Sequence, residues 1–140
     1  MTIKDLSKYY ECTALIKSIE QEIRHLESCP VGTVANYSGT GSGGSGTKTD
    51  NVHSQAMRIE DQKQKLRVLL TRTEEERSKI THYIFDVVAE RDRVVAAMMY
   101  QRFIKLKSWY GVARELGGNN TADSCRMAVF RFVQKDKERF

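Results

Sequence analysis

Proline is nearly absent from this sequence of 140 residues, which has one proline, one tryptophan and no long apolar run. Without about 18 consecutive apolar residues, the chain has no membrane-spanning segment, so no membrane partner is expected. Its first residues, MTIKDLSKYYE, lack the basic start and apolar stretch of a signal peptide, which predicts a cytoplasmic protein. Few aromatic residues and one proline together favour a helical protein of one or two small units.

Close-spaced metal-binding and catalytic motifs are also missing. The three cysteines and three histidines are scattered along the chain, which predicts reduced thiols, no metal site and no other cofactor. They are Cys12, Cys29 and Cys125, and His25, His53 and His82. The sequence contains no phosphate-binding loop, no nucleophile elbow and no paired-histidine zinc motif. We therefore expect that the protein is not an enzyme.

Positive charge is concentrated at one end of the chain. Residues 1–100 contain 14 basic and 14 acidic residues, whereas residues 101–140 contain nine basic and four acidic residues. The whole excess of five positive charges therefore lies in the last forty residues. A basic surface of this kind is either a solvated face or, more often, the binding surface for an anionic partner such as nucleic acid.

Heptad spacing predicts a first long helix. Apolar or small residues recur in steps of three and four from Cys12 through Ile16 to Leu26. This spacing places them along one face of a helix. Pro30 disfavours helical geometry in the residue before it, so the helix is expected to end near Ser28.

A low-complexity stretch follows at about residues 31–50 and contains the run SGTGSGGSGTKTD. It has too little apolar content to pack, which predicts a flexible loop, and a natural loop and an engineered linker share this composition. A second heptad pattern then runs from Val52 to Val87 and is interrupted by Lys63 and Arg77. Because the loop is long enough for the chain to return, residues 1–89 are predicted to form an antiparallel coiled-coil hairpin. The apolar face left uncovered by the shorter helix needs another partner, either the C-terminal module or a second copy of the chain, so a homo-oligomer is expected, with a dimer preferred.

Residues 90–140 are predicted to form a separate module that contains two short helices. Ser108 precedes an amphipathic segment and can cap it, Gly117 and Gly118 can end it, and Thr121 can cap a last helix. The inward residues of that last helix are expected to be Cys125, Ala128, Val129 and Phe132. Trp109 and the Met98–Met99 pair are interpreted as core residues rather than ligand contacts. Two short helices joined by a glycine-containing turn predict a helix-turn-helix, so the expected fold is all-α, a coiled-coil hairpin followed by a helix-turn-helix.

The run LKSWYGVARELGGNNTADSCRMAVFRFV resembles the region-4-like helix-turn-helix of bacterial sigma factors. Ala113 occupies the small central position and Arg131 the late basic position of that pattern. The order of a two-helix N-terminal region, a Ser/Gly-rich stretch and this C-terminal module is similar to that of small phage late-transcription regulators of the RinA and ArpU-like group. The resemblance implies a regulator that binds duplex DNA sequence-specifically in the cytoplasm of a bacterial host, with RNA polymerase as a candidate second partner.

The second helix of a helix-turn-helix enters the major groove, so its outward residues are the candidate DNA contacts. They are Asn120, Thr121, Asp123, Ser124, Arg126, Met127, Phe130 and Arg131. Arg126 is the best candidate to bond guanine, although a phosphate contact or a solvated position are the alternatives. Asp123 is expected to orient Arg126 or to accept from cytosine. Sequence-independent attraction to phosphate is assigned to Lys105, Lys107, Arg131, Lys135 and Lys137.

Two further functions fit the same pattern. A DNA-packaging protein of the terminase small-subunit kind also joins a helix-turn-helix to helices that oligomerise. A protein-binding adaptor or inhibitor could use the basic face against an acidic surface.

Overall fold

The computed structural model describes residues 1–28 and 45–139, and only the helical backbone of residues 45–51. All regular secondary structure in these residues is helical, which confirms the all-α prediction. The helices, in chain order, are α1 (Ile3–Ser28), α2 (Ser45–His82), α3 (Arg93–Met99), α4 (Trp109–Leu116) and α5 (Ala122–Glu138). A π-helical stretch, Tyr83–Val88, and one α-helical turn, Ala89–Arg91, prolong α2. A second π-helical stretch, Tyr100–Ile104, prolongs α3.

The start of helix α1 follows from its sequence. At its start the Thr2 hydroxyl accepts from the Asp5 backbone amide at 3.2 Å, and the Asp5 carboxylate accepts from the Thr2 amide at 2.9 Å. This reciprocal pair satisfies amides that the first helical turn would leave without partners. Ser28 is the last residue of α1 in the described part of the chain, so the predicted effect of Pro30 on the helix end lies outside the described residues.

The heptad positions predicted to face inward are buried. In α1, Cys12, Ile16 and Ile19 are each at most 5% exposed, and Ile23 and Leu26 are half-buried. The corresponding positions of α2 are half-buried or buried while their neighbours are mostly exposed. The Lys63 side chain, which interrupts this face, is only 14% exposed and reaches Glu60 at 3.3 Å. The period read from the sequence therefore identifies the inward face of both helices.

The predicted loop of about residues 31–50 is too long at its C-terminal end. Residues 29–44 lie outside the described part of the chain, but α2 already begins at Ser45. Extending an existing helix by one residue costs far less free energy than nucleating a new one. The helix that forms after position 50 can therefore extend backward through residues of low helix propensity, such as those of the GTKTD run.

The chain divides into two compact units, which are described separately. The terminal unit comprises Met1–Leu15 and Thr73–Phe140, and the central unit comprises Ile16–Arg72. The boundary that the sequence suggests, between residues 89 and 90, falls inside the terminal unit and stays a prediction.

One hydrophobic core fills the terminal unit. Leu6 of α1 and Ile84 and Val88 of the α2 extension are completely buried in it. The remaining helices contribute Met99, Phe103, Val112, Ala113, Cys125, Val129 and Val133 to the same cluster. The C-terminal helices are thus packed around residues from the start of α1 and the end of α2, and α5 shares this core.

A sharp break at Asp92 separates the α2 extension from α3, close to the predicted start of the C-terminal module at residue 90. Asp92 has extended geometry, with φ −151° and ψ 101°, and its carboxylate accepts from the amides of Val94 and Val95 at 3.0 and 3.1 Å. An aspartate that caps its own downstream amides competes with helix continuation. The chain therefore changes direction here, although no glycine or proline marks the position.

Candidate functional site

The candidate site is built on α4, α5 and the turn between them. Ser108 begins α4, since its hydroxyl accepts from the Gly111 amide at 3.2 Å, as the sequence predicted. Val112 and Ala113, on the inward face of α4, are buried in the common core. Tyr110 points away from that core and is 72% exposed.

The turn depends on two consecutive glycines in the left-handed conformation. Gly117 and Gly118 both have φ +67°, and nothing lies within 4 Å of a β-carbon built at either position. Replacing either glycine would therefore cost free energy through backbone strain at positive φ and not through a steric clash with neighbouring atoms. The Asn120 side chain donates to the Gly117 carbonyl at 2.9 Å and closes the turn. This turn confirms the predicted end of the first short helix.

Helix α5 begins with a reciprocal cap. The Thr121 hydroxyl accepts from the Ser124 amide at 3.1 Å, and the Ser124 hydroxyl accepts from the Thr121 amide at 2.9 Å. Thr121 is thus the cap that the sequence predicted. Both hydroxyls, together with the Asn120 amide group, are engaged in local structure, so three of the predicted DNA contacts first of all shape the start of α5.

The inner face of α5 packs tightly against its neighbours. Cys125 and Val129 are completely buried and Val133 is 5% exposed. Phe130, which the sequence analysis placed on the outward face, is 38% exposed, and its ring centroid lies 6.4 Å from that of Trp109. The Trp109 and Phe103 rings are nearly perpendicular, with their centroids 6.3 Å apart. Trp109 therefore joins α3, α4 and α5, in agreement with its interpretation as a core residue.

The outer face of α5 carries the remaining predicted contacts. Arg126, Met127, Arg131 and Lys135 are all exposed on it. The Asp123 side chain is 92% exposed and lies 4.0 Å from the Arg126 guanidinium. That separation is too long for a hydrogen bond, so Asp123 does not hold Arg126 in one orientation in this structure.

The basic residues outside α5 have individual partners. The Lys107 ammonium lies 2.9 Å from the Glu115 carboxylate, and this hydrogen bond lowers the pKa of Glu115. Lys105 is exposed, with its ammonium 5.7 Å from the centre of the Tyr100 ring. The Arg102 guanidinium lies over Trp109 at 5.3 Å and donates to the Lys107 carbonyl at 2.9 Å. Of these three, Lys105 is the most available for another anion.

Sequence reasoning missed a buried polar cluster behind α5. Asp136 is 6% exposed. Its carboxylate accepts a hydrogen bond of 2.8 Å from the Tyr83 hydroxyl and a second hydrogen bond from the Arg91 guanidinium. Burial alone would raise the pKa of Asp136, but the hydrogen bonds from Tyr83 and Arg91 outweigh it and hold the pKa below its usual value. Burial, followed by the Asp136 hydrogen bond, raises the pKa of Tyr83. Asp136 lies 53 residues after Tyr83 and 45 residues after Arg91, so no local spacing could reveal the cluster.

Pairing leaves the surface of this region more basic than its composition suggests. Residues 101–140 contain four acidic residues, of which Asp136 is buried against Arg91 and Glu115 is paired with Lys107. The other two acidic residues of this region are Asp123 and Glu138, and within the described residues neither has an ion pair as close as that of Glu115 with Lys107. An open concavity of about 400 Å³ lies beside the turn, lined by residues that include Tyr110, Arg114 and Asn120.

Residues 1–28 and 45–139 contain no group of three histidine, cysteine or acidic side chains placed to hold a metal ion. In that same part of the chain, no helix combines the length and apolar character needed to cross a membrane. Cys12 and Cys125 are buried free thiols, and burial followed by the charge of Glu76 raises the pKa of Cys12.

Comparisons of the chain with protein-family models, with curated proteins and with solved structures gave no match.

Proposed function

We propose that this protein is a transcription regulator that binds duplex DNA sequence-specifically, with α4, the glycine turn and α5 acting as a helix-turn-helix. The observation that carries the proposal is the division of α5 into two faces. Its inner face is buried against α4, whereas Arg126, Met127 and Arg131 on its outer face are exposed. A short capped helix, a tight glycine turn and a second capped helix with a basic outer face are the features of a recognition unit.

In this proposal the N-terminal half of α5 lies in the major groove. Arg126 bonds the O6 and N7 atoms of a guanine, since a guanidinium can donate to both in one plane. Met127, which is 41% exposed, makes an apolar contact beside it, for which a thymine methyl group is the suitable partner. Thr121 and Ser124 support these contacts by fixing the start of the helix.

Phosphate attraction comes from basic residues around this face. Lys105, Arg131 and Lys135 are exposed and are suited to neutralise phosphates on either side of the groove. Because such contacts release counterions, binding weakens as salt concentration rises. Lys107 contributes less, since it is paired with Glu115.

The N-terminal helices provide dimerisation as an antiparallel coiled-coil hairpin. Support comes from contacts between α1 and α2 inside each unit, where the Cys12 thiol lies 3.9 Å from Glu76 and Arg67 lies 3.9 Å from Glu27. At about 1.5 Å per residue, α1 with its 26 residues is too short to cover the 38 residues of α2. A second copy of the chain covers the remainder in our proposal, and RNA polymerase is the second partner that the resemblance to phage late-transcription regulators suggests.

Selection of binding sites from a random duplex library tests this proposal. We expect enrichment of one motif, bound by a dimer whose mass is measured by light scattering. A ring of many copies on DNA would favour a packaging protein of the terminase small-subunit kind. Absence of any duplex binding at low salt would reject DNA recognition and favour a protein-binding adaptor or inhibitor.

A further inference from the structure

The buried polar cluster lies where a helical pattern calls for an apolar residue. Cys125, Val129 and Val133 occupy the inward face of α5, and Asp136 continues the same face by one further helical turn. Among the described residues, Thr73 and Asp136 are the polar or charged side chains that are buried. An apolar side chain at position 136 would therefore have continued the core.

The ion pair of Asp136 with Arg91 is an inefficient source of stability, because the Asp136 side chain is 7% exposed whereas the Arg91 side chain is 34% exposed. The cost of removing the Asp136 charge from water offsets much of the attraction, and water around Arg91 weakens the attraction further, so apolar residues of similar volume stabilise about as well. Hydrogen bonds differ from apolar contacts because they are directional and fix relative orientation. Asp136 accepts from both Tyr83 and Arg91, so rotating or sliding α5 would break at least one of these bonds.

We propose that Asp136 is a positioning residue for DNA recognition. Its bonds to Tyr83 and Arg91 hold α5 in one rotational and axial position on the α2 extension, and this position directs Arg126 toward a base edge. This inference rests on the proposed function. At about 1.5 Å per residue, Asp136 lies about 15 Å along the helix from Arg126, so it acts through the helix and does not contact the same bases. A shift of α5 by one residue would turn Arg126 by about 100°.

Two variants test the role. Asp136→Asn removes the charge from the cluster. The triple variant Tyr83→Phe, Arg91→Met, Asp136→Leu replaces the cluster by apolar groups, so that no charge is left unpaired and folding is maintained. For both variants we expect the ratio of affinities for the selected site and for random duplex to fall about tenfold, which corresponds to the loss of one base contact.

A spectroscopic measurement detects the movement without DNA. Trp109 is the single tryptophan of the chain, and it contacts Phe130 of α5. The triple variant should therefore change the emission of Trp109 while circular dichroism shows unchanged helix content. Ile84→Val is the matched control, because Ile84 is a completely buried neighbour of Tyr83 in the α2 extension and makes no polar contact with α5 through its side chain. It should lower stability and leave the affinity ratio and the emission unchanged.

The outcomes separate this role from the proposed function. Specific binding by the wild-type protein, with an unchanged affinity ratio and unchanged Trp109 emission in the folded triple variant, would overturn the positioning role alone. A fall in the ratio for Ile84→Val as large as for the triple variant would also overturn it, since any loss of stability would then suffice. Failure of the wild-type protein to bind duplex DNA would instead overturn the proposed function, and the positioning role with it.

Discussion

The Tyr83 hydroxyl donates a 2.8 Å hydrogen bond to Asp136, which lies 53 residues later in the sequence. This bond joins the beginning of a π-helical stretch to the last turns of α5. Interruptions of this kind in a helix are often found at functional sites. The terminal unit is therefore held together across its core by a polar contact as well as by apolar packing.

The Asp136 cluster predicts that stability falls in acid. Burial by itself would raise the pKa of Asp136, but the hydrogen bonds from Tyr83 and Arg91 together hold the pKa below its usual value. A carboxyl group with a lowered folded-state pKa stabilises above its unfolded-state pKa of about 3.9, and this stability is lost as pH falls through the folded-state pKa. The other groups of the cluster stay protonated throughout this range, because the pKa of Tyr83 is raised and arginine does not titrate here.

Urea unfolding of the wild-type protein and of Asp136→Asn from about pH 7 to about pH 2 measures this contribution. The two free energies of unfolding should differ by about 1 to 3 kcal/mol near neutral pH, because the variant replaces hydrogen bonds to a charged acceptor by weaker neutral ones while Arg91 keeps part of its hydration. The difference should shrink in acid, once Asp136 itself is protonated. A difference that stays constant over the whole range would contradict the prediction.

The inward face of α1 predicts unequal effects of two neighbouring substitutions. Ile16 is 5% exposed, whereas Leu15 is 42% exposed. Ile16→Ala should therefore lower the free energy of unfolding by about 2 to 4 kcal/mol, through lost burial and a cavity. Leu15→Ala is the matched control and should cost about 0.5 kcal/mol or less. Equal losses in denaturant titrations would show that the heptad pattern does not identify the inward face.

Leu106 predicts a substitution that stabilises the protein. It has φ +60° and its side chain is 52% exposed, so it carries backbone strain without burying much apolar surface. The left-handed conformation costs a non-glycine residue about 1 to 2 kcal/mol, and Leu106→Gly should recover about 0.5 to 1 kcal/mol of this. Lys105, with φ −82°, is the control, and Lys105→Gly should destabilise by a similar amount. Thermal melting of both variants measures these changes. A lower melting temperature for Leu106→Gly would contradict the claim that Leu106 carries backbone strain.

Much of the helical pattern could be predicted from local spacing. The heptad steps identified the buried positions of α1 and α2, and Ser108, Gly117 and Thr121 marked the helix ends that the structure has. These features depend on residues a few positions apart, which periodicity and capping rules describe.

The remaining features leave no periodic signal in the sequence. Asp92 breaks a helix by accepting from the amides of Val94 and Val95, without a glycine or proline to mark the position. Phe130 is exposed, as its spacing predicts, but its closeness to Trp109 is a tertiary contact. Asp136 was included in no sequence-based site, because its partners are far away along the chain. The assignment of DNA contacts to the outer face of α5 stays a prediction.

The start of α5 predicts that Thr121 acts as a cap. Its hydroxyl accepts from the Ser124 amide, so Thr121→Ala should destabilise the protein by about 1 kcal/mol. Thr121→Asn keeps a strong cap and should retain most of the stability. Melting temperatures compare the two variants, and equal losses for alanine and asparagine would remove the capping role.

The most direct test of the central claim compares Arg126→Ala with Lys135→Ala on duplex DNA. Each variant removes one exposed positive charge from α5, so a purely electrostatic surface would treat them alike. We expect Arg126→Ala to cost about 1 to 3 kcal/mol on the selected site and to relax preference at one base position. Lys135→Ala should weaken binding to all sequences alike and reduce the slope of log affinity against log salt by about one unit or less. Equal losses for both variants on selected and random duplexes would contradict α5 as a recognition helix.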